Sequence, residues 1–492
     1  MSLFRTKSVE QSIRDTEEPE HQLKKELTAL DLTVFGVGVI LGTGIFVLTG
    51  VAAHEAAGPA VAISFVLAAV ACGLAALCYA ELASTVPVAG SAYTFAYATL
   101  GELIAWIIGW DLLLEFIIGG AAVAVGWSQY LAVFLETLGL HLPVAIAGGE
   151  GTVFNLPAVL VVLLLTAILV IGIKISARFN EVVVAIKVAV VLFVIVAGLF
   201  YINVANYSPF VPPSQPAEAG SGGDRTLLEA IFGAAPANFG VSGIFAAAAL
   251  VFFAYIGFDI VATVAEETRN PQRDMPRGIL GSLVVCATLY AVVALVVVGM
   301  ENYAELDPDA PLATAFIAVG QPLFANLITI GALVGITVVI MILMLGQARV
   351  AFAMSRDGLL PRWLAKVHPK YGTPYRITII VGVLVAGMAG FLSLSQLAEL
   401  VNIGTLFAFV VVSIAVAVLR RTRPDLPRSF RTPLVPLVPI LAALSCMTLM
   451  LFLTVATWVR FLVWLVLGFV VYFVYGRRRS RVGISQAVRP SR

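Results

Sequence analysis

Charge is scarce in this chain. Only 12% of its 492 residues are Asp, Glu, Lys or Arg, about half the share of a soluble domain, while 60% are hydrophobic and mean hydropathy is +1.00. A water-soluble fold is excluded. Histidine is nearly absent too, and His21, His54, His141 and His368 fall in loops and tails without ligand spacing, so no metal site is expected. The four cysteines, Cys72, Cys78, Cys286 and Cys446, all lie in apolar runs and read as buried fillers rather than as a disulfide framework. No phosphate-binding loop is present, which disfavours an ATP-driven pump, and no Ser–His pairing points to an enzyme. A net charge of +1 says nothing about a partner, and neither a nucleic acid nor a cofactor is expected. Residues 1–31 are polar, lacking the apolar core of a signal peptide.

What is abundant is apolar sequence in long runs. Twelve of them stand near 32–53, 60–80, 95–135, 157–173, 180–200, 244–265, 278–299, 322–350, 376–392, 396–419, 434–453 and 457–475. Runs of this kind are long enough to cross a hydrocarbon core of about 30 Å as helices, with 95–135 long enough to demand tilt. The expected fold is an all-α polytopic membrane protein. With the N-terminus inside and twelve spans, 27 of the 30 Lys and Arg residues fall on one side. Only Arg225 and Arg460 fall opposite, and Lys187 lies within a span. The positive-inside rule then puts both termini in the cytoplasm. The Arg477–Arg481 cluster reads as a topology anchor, with lipid binding as the alternative.

Two runs are interrupted at their centres. The first breaks at Gly42-Thr43-Gly44, and the second around Tyr255-Ile256-Gly257-Phe258-Asp259. Inside lipid every backbone N–H and C=O needs a partner, so unwound backbone survives only where it lines a cavity or meets a ligand. A pair of breaks, one per half, points to a transporter site near the bilayer midplane. The breaks fall in spans one and six, so the natural repeat is five plus five. Five is odd, and two tandem copies must therefore run in opposite senses. This divides the chain into a tail at 1–31, repeats at 32–200 and 244–419, an outer loop at 201–243, a segment at 420–475 with spans eleven and twelve, and a tail at 476–492. Pro, Gly and Ser in 201–243 argue against a folded domain there, although 226–234 has the makings of a short helix.

The motifs GVGVILGTGIF (36–46), YAELASTVPVAGSAYTFAY (79–97), VFFAYIGFD (251–259), ETRNPQRDMPRGI (267–279) and MSRDGLLP (354–361) stand in order along the chain. Together they resemble the amino acid–polyamine–organocation superfamily, in particular its cationic-amino-acid-transporter-like branch, over about residues 25–475. That resemblance implies a LeuT-type fold and amino acid transport.

An α-amino acid presents a carboxylate and an ammonium, and a dry site must meet both. N–H groups freed at a helix N-terminus bind anions, and freed carbonyls bind cations. The expected substrate site therefore comprises Ile40, Gly42, Thr43 and Gly44 for the carboxylate, with the carbonyls of Phe253, Ala254 and Ile256 for the ammonium. Gly36, Gly38, Gly42 and Gly44 read equally as contacts for close helix packing. Phe253 and Tyr255 read as packing aromatics or, from the resemblance, as an outer lid near the second break.

Lys187 lies about seven residues, roughly 10 Å, into its helix from Asn180. It reads either as snorkelling to the membrane face or as a buried group able to exchange a proton. The resemblance favours the second, because proton-coupled members carry a lysine on this helix where sodium-coupled relatives hold sodium. Glu115 and Asp259 are the expected acidic partners, with Asp111 sharing the Glu115 face and each acid open to a structural reading. Glu81 reads as a partner for a loop arginine, and Asn402 either lines the pocket or bonds to a neighbouring helix. The function these residues suggest is uptake of L-amino acids with protons at the cell membrane. The alternatives are an exchanger, a polyamine or cationic amino acid carrier, or a transporter-like sensor.

Overall fold

A computed structural model of the chain describes residues 26–86, 91–148, 152–172, 177–216, 225–233 and 237–480. The tails expected at 1–31 and 476–492 fall largely outside these residues. The described chain is predominantly helical. Helix α1 spans Ala29–Ile40, followed by two short pieces, α2 at Thr43–Phe46 and α3 at Leu48–Ala52. Next come α4 (Val61–Thr85), α5 (Ser91–Thr99), α6 (Glu102–Thr137), α7 (Leu156–Ile171) and α8 (Ala177–Gly198). Then follow α9 (Leu227–Phe232), α10 (Gly240–Val251), α11 (Pro271–Met300), α12 (Pro311–Ala318) and α13 (Pro322–Arg356). The chain continues through α14 (Tyr375–Phe391), α15 (Leu394–Thr422), α16 (Leu437–Leu451) and α17 (Val455–Val471). Among the described residues, eight helical segments are long and apolar enough to cross a membrane, and four shorter helices are also apolar. The protein is thus a polytopic helical membrane protein.

Helix ends follow local chemistry. Thr28 and Asp31 form a capping box ahead of α1, as Ser393 and Gln396 do ahead of α15. Proline opens α11, α12 and α13, where its missing N–H costs nothing. The apolar run at 95–135, expected as one tilted span, is instead two helices. Leu100 and Gly101 separate α5 from α6, and Gly101 adopts φ +97°, a conformation open to glycine but not to most side chains. In the segment 201–243, residues 227–232 form the short helix α9, and Gln215–Pro216 pairs antiparallel with Ala237–Asn238. Arg225 and Leu227 exchange backbone hydrogen bonds with Val455 and Leu453, which ties this segment to the start of α17.

Helix α6 is the axis of the site, packed between α13 and α15, while α11 lies along both α1 and α4. Helix α8 fits between α1 and α13. Trp110 and Trp464 stack at 4.5 Å and each indole N–H donates to the other's carbonyl, joining α17 to α6. The buried carboxylate of Glu102, at the start of α6, accepts from Tyr97, Tyr472 and Ser480 and so anchors the last described turn of the chain.

Candidate functional site

The first break is narrower than the glycine pattern alone suggests. Helix α1 ends at Ile40, Leu41 and Gly42 leave the helical conformation, and Thr43 already opens α2. Among the described residues, the N–H groups of Gly42, Thr43 and Gly44 donate to no backbone carbonyl. These are the donors that a helix start leaves over. In the second broken helix, α10 runs into a 3-10 turn at Phe252–Tyr255, then Ile256–Asp259 leave helical structure before a second 3-10 stretch at Ile260–Glu267. Gly257 adopts φ +125° there.

The two breaks touch. A side chain on Gly44 would overlap the backbone of Ala254, so only glycine permits this crossing. Gly36 packs on Ser282 and Gly38 on Val184, so these two serve helix packing. Between the breaks lies a small cavity. Ile40, Gly42, Thr43 and Gly44 line it from the first break, and Phe253 and Ile256 from the second. Helix α6 contributes Glu115, Gly119 and Val123, and α13 contributes Val339 and Leu343. Six of the eight residues expected to bind substrate therefore share one cavity. Ala254 and Tyr255 stand outside its wall, and the Tyr255 hydroxyl donates to the carbonyl of Phe65 at 2.9 Å.

The three carbonyls expected to receive an ammonium differ. That of Phe253 accepts from the N–H of Ile256 at 3.2 Å, and that of Ala254 from the hydroxyl of Tyr290 at 2.9 Å. The Ile256 carbonyl has no donor among the described residues. Thr43 lines the cavity while its hydroxyl reaches the carbonyl of Val123 at 3.4 Å.

Lys187 is fully buried on α8. Its ammonium donates to the carbonyls of Gly38 at 2.6 Å and Leu41 at 3.1 Å, at the end of α1. It does not snorkel. Gly335 on α13 makes room for its stem, since a Cβ there would come within 2.6 Å of Lys187 Cγ. Glu115 faces the cavity with neither carboxyl oxygen hydrogen-bonded among the described residues, and Asp111, one turn away, is likewise unpaired and packs on Gly404. Asp259 accepts from the N–H of Gly257 at 3.2 Å, which holds the second break in shape. No hydrogen bond joins Lys187, Glu115 and Asp259 to one another among the described residues. Asn402 donates to the carbonyls of Ala249 and Leu250, capping the end of α10 rather than lining the cavity.

At the arginine-rich end, Glu81 is buried and meets three partners. Arg420 makes a two-pronged pair at 2.9 and 2.7 Å, the N–H of Thr432 donates at 2.7 Å, and Arg428 Nε stands 3.3 Å away without hydrogen-bond alignment. On the same end the residues before α1 pair with the end of the second broken helix. Leu27 bridges Thr268, and the N–H groups of Glu26 and Leu27 donate to the carbonyl of Glu267. Tyr290, Gly335 and the apolar cavity wall carry no sequence signal, because each is one more apolar or small residue within a long apolar run.

The chain also matches known proteins over most of its length. The amino acid permease family model matches residues 27–475. The chain is 49% identical over 488 residues to the branched-chain amino acid permease BcaP of Bacillus subtilis (strain 168), covering 98% of this chain and 99% of that protein. It is 47% identical over 483 residues to the methylthioribose transporter of the same organism, covering 97% and 99%. It is 41% identical over 428 residues to the vacuolar cationic amino acid transporter 4 of Arabidopsis thaliana, covering 86% of this chain and 68% of that protein. With the family model spanning nearly the whole chain and two such relatives matched almost end to end, this protein is a member of the amino acid permease family.

Proposed function

We propose that the chain is a secondary active transporter of L-amino acids, working as a proton-coupled symporter by alternating access at the cell membrane. The observation that carries this reading is the meeting of the two breaks at one cavity. Free N–H donors of Gly42, Thr43 and Gly44 suit a carboxylate, and the free carbonyl of Ile256 suits an ammonium. The reading includes twelve spans in a five-plus-five inverted repeat of LeuT type, 32–200 against 244–419, with both termini cytoplasmic. Helices 11 and 12 of that count stand outside the repeat.

Proton coupling is supported by Lys187, a fixed cation bonded to the carbonyls at the end of α1. Glu115, unpaired on the cavity wall, and Asp259, bonded within the second break, are the proposed acidic members. A proton drives transport only if one facing state binds it more tightly than the other. The cavity wall also includes Val39, Val123, Val339 and Leu343, which suits an aliphatic side chain. The relatives' names span branched-chain amino acids, cationic amino acids and methylthioribose.

The test is uptake into proteoliposomes of radiolabelled leucine, valine, arginine and methylthioribose under imposed proton or sodium gradients. Leucine or valine uptake driven by an inward proton gradient is the expected result. Uptake that follows sodium and ignores protons refutes the coupling, and uptake of methylthioribose alone refutes the amino acid reading.

A further inference from the structure

Tyr290 lies on α11, fully buried, in a stretch of sequence without any motif. Its hydroxyl stands 2.6 Å from the carbonyl oxygen of Ile40, the last residue of α1, and 2.9 Å from that of Ala254, inside the second broken helix. One side chain on a third helix thus bonds both broken helices where they cross. A phenol carries a single proton, so the bond is shared between the two carbonyls in a three-centre arrangement. The ring has little freedom to swing away. Tyr255 lies 5.2 Å from it and Phe65 5.6 Å, centroid to centroid. On the other side of this bridge, Gly44 packs directly on Ala254.

We propose that Tyr290 is a positioning residue of the substrate site, its hydroxyl setting the separation between the carboxylate-binding break and the ammonium-binding break. This rests on the amino acid reading above. Tyr290 does not line the cavity; it acts through Ile40, whose side of the wall meets Gly42 to Gly44, and through Ala254, which sits between Phe253 and Ile256. An amino acid has a fixed distance between its two charged groups. A site whose two halves hold that distance before binding loses less freedom when the ligand arrives.

The test uses the full chain in proteoliposomes and compares Tyr290→Phe with Tyr207→Phe. Tyr207 is a suitable control because its hydroxyl also donates to one carbonyl, that of Leu295, but from the segment 201–243. Tyr290→Phe is expected to raise the KM for leucine by about three- to tenfold, the scale of one lost hydrogen bond, with Vmax per inserted protein within about twofold. Tyr207→Phe is expected to leave KM unchanged. Amide hydrogen exchange on the same proteins provides a readout that needs no substrate. Tyr290→Phe should speed exchange in both peptides 36–46 and 250–260, and Tyr207→Phe in neither. Unchanged KM with unchanged exchange overturns the proposal, as does a loss of Vmax alone that tracks the amount of folded protein. If wild type takes up no amino acid yet exchange rises in both peptides of Tyr290→Phe, the bridge stands and the amino acid reading fails.

Discussion

The ammonium of Lys187 donates to the carbonyl of Gly38 at 2.6 Å, at the point where the first broken helix ends. Together with the bond to Leu41, this makes a side chain of α8 the cap of α1. Helix C-termini leave carbonyls without intrahelical donors, and a cation is the strongest partner for them. Replacing Lys187 by Met keeps the volume and removes the donor. Uptake driven by a proton gradient is expected to fall by at least about tenfold, since two buried carbonyls are stranded and the cation is gone. Proteoliposome uptake at matched protein insertion checks this. Normal gradient-driven uptake by the variant removes Lys187 from the mechanism.

The glycines of the first break should differ in tolerance. An added methyl at Gly44 overlaps the backbone of Ala254, which cannot yield without moving the second break. At Gly42 the nearest atoms are the methyl groups of Val339 at 3.4 Å, which can shift slightly. Gly44→Ala is therefore expected to lose uptake by about tenfold or more, and Gly42→Ala by clearly less, given overpacking costs of roughly 1–3 kcal/mol. Equal effects of the two substitutions would contradict the crossing geometry.

Glu81 holds the arginine-rich end together. Its carboxylate is 1% exposed and faces Arg420 at 2.7 Å and Arg428 at 3.3 Å. Removing one partner of a buried ion pair costs about 3–5 kcal/mol because the other charge is left without compensation. Arg420 is 26% exposed and can reach water, whereas Arg428 is 5% exposed and keeps a buried charge, so the middle of that range is expected. Glu81→Ala should lower the thermal unfolding midpoint in detergent by several degrees. An unchanged midpoint would show that the network adds no stability.

A pH effect is expected at the opposite end. Burial, and then the charges of Asp307 and Glu305, push the Glu301 carboxyl up from 4.5 to about 7. The folded chain then holds a proton that the unfolded chain has released. Stability attributable to this group falls as pH rises from about 4.5 to about 7 and is level above that. The group is partly solvated, so the contribution is roughly 1 kcal/mol after screening. Glu301→Gln should flatten this slope and gain stability at pH 8 relative to wild type. Unfolding midpoints at pH 5, 6, 7 and 8 measure it, and parallel profiles for the two proteins would rule the effect out.

Some of the site is legible in the residues and some is not. Lys187 stands out because a lone cation in an apolar helix is costly wherever it points. The two breaks are legible because glycine clusters and an acid interrupt otherwise regular apolar runs. Gly101 hides in such a run, since one glycine signals a break only when its backbone takes a positive φ. Tyr255 and Phe253 are neighbours in the second break, yet one faces Phe65 and the other the cavity. Residues two apart face different sides on an α-helix and on a 3-10 turn alike, so packing decides which of the two meets the cavity.

Composition and the order of apolar runs by themselves determined that this chain lives in a membrane as a bundle of helices, since each run must satisfy its own backbone in lipid. The glycine and acid positions likewise determined where two of those helices fail. What only the tertiary structure decided is which freed backbone groups remain free. Tyr290, Lys187 and Asn402 each come from a different helix and occupy particular carbonyls, so Ile256 is left open while Ala254 and Leu41 are not. Hydrogen bonds between residues 36 to 250 positions apart depend on how helices pack, and nothing local to either partner encodes them.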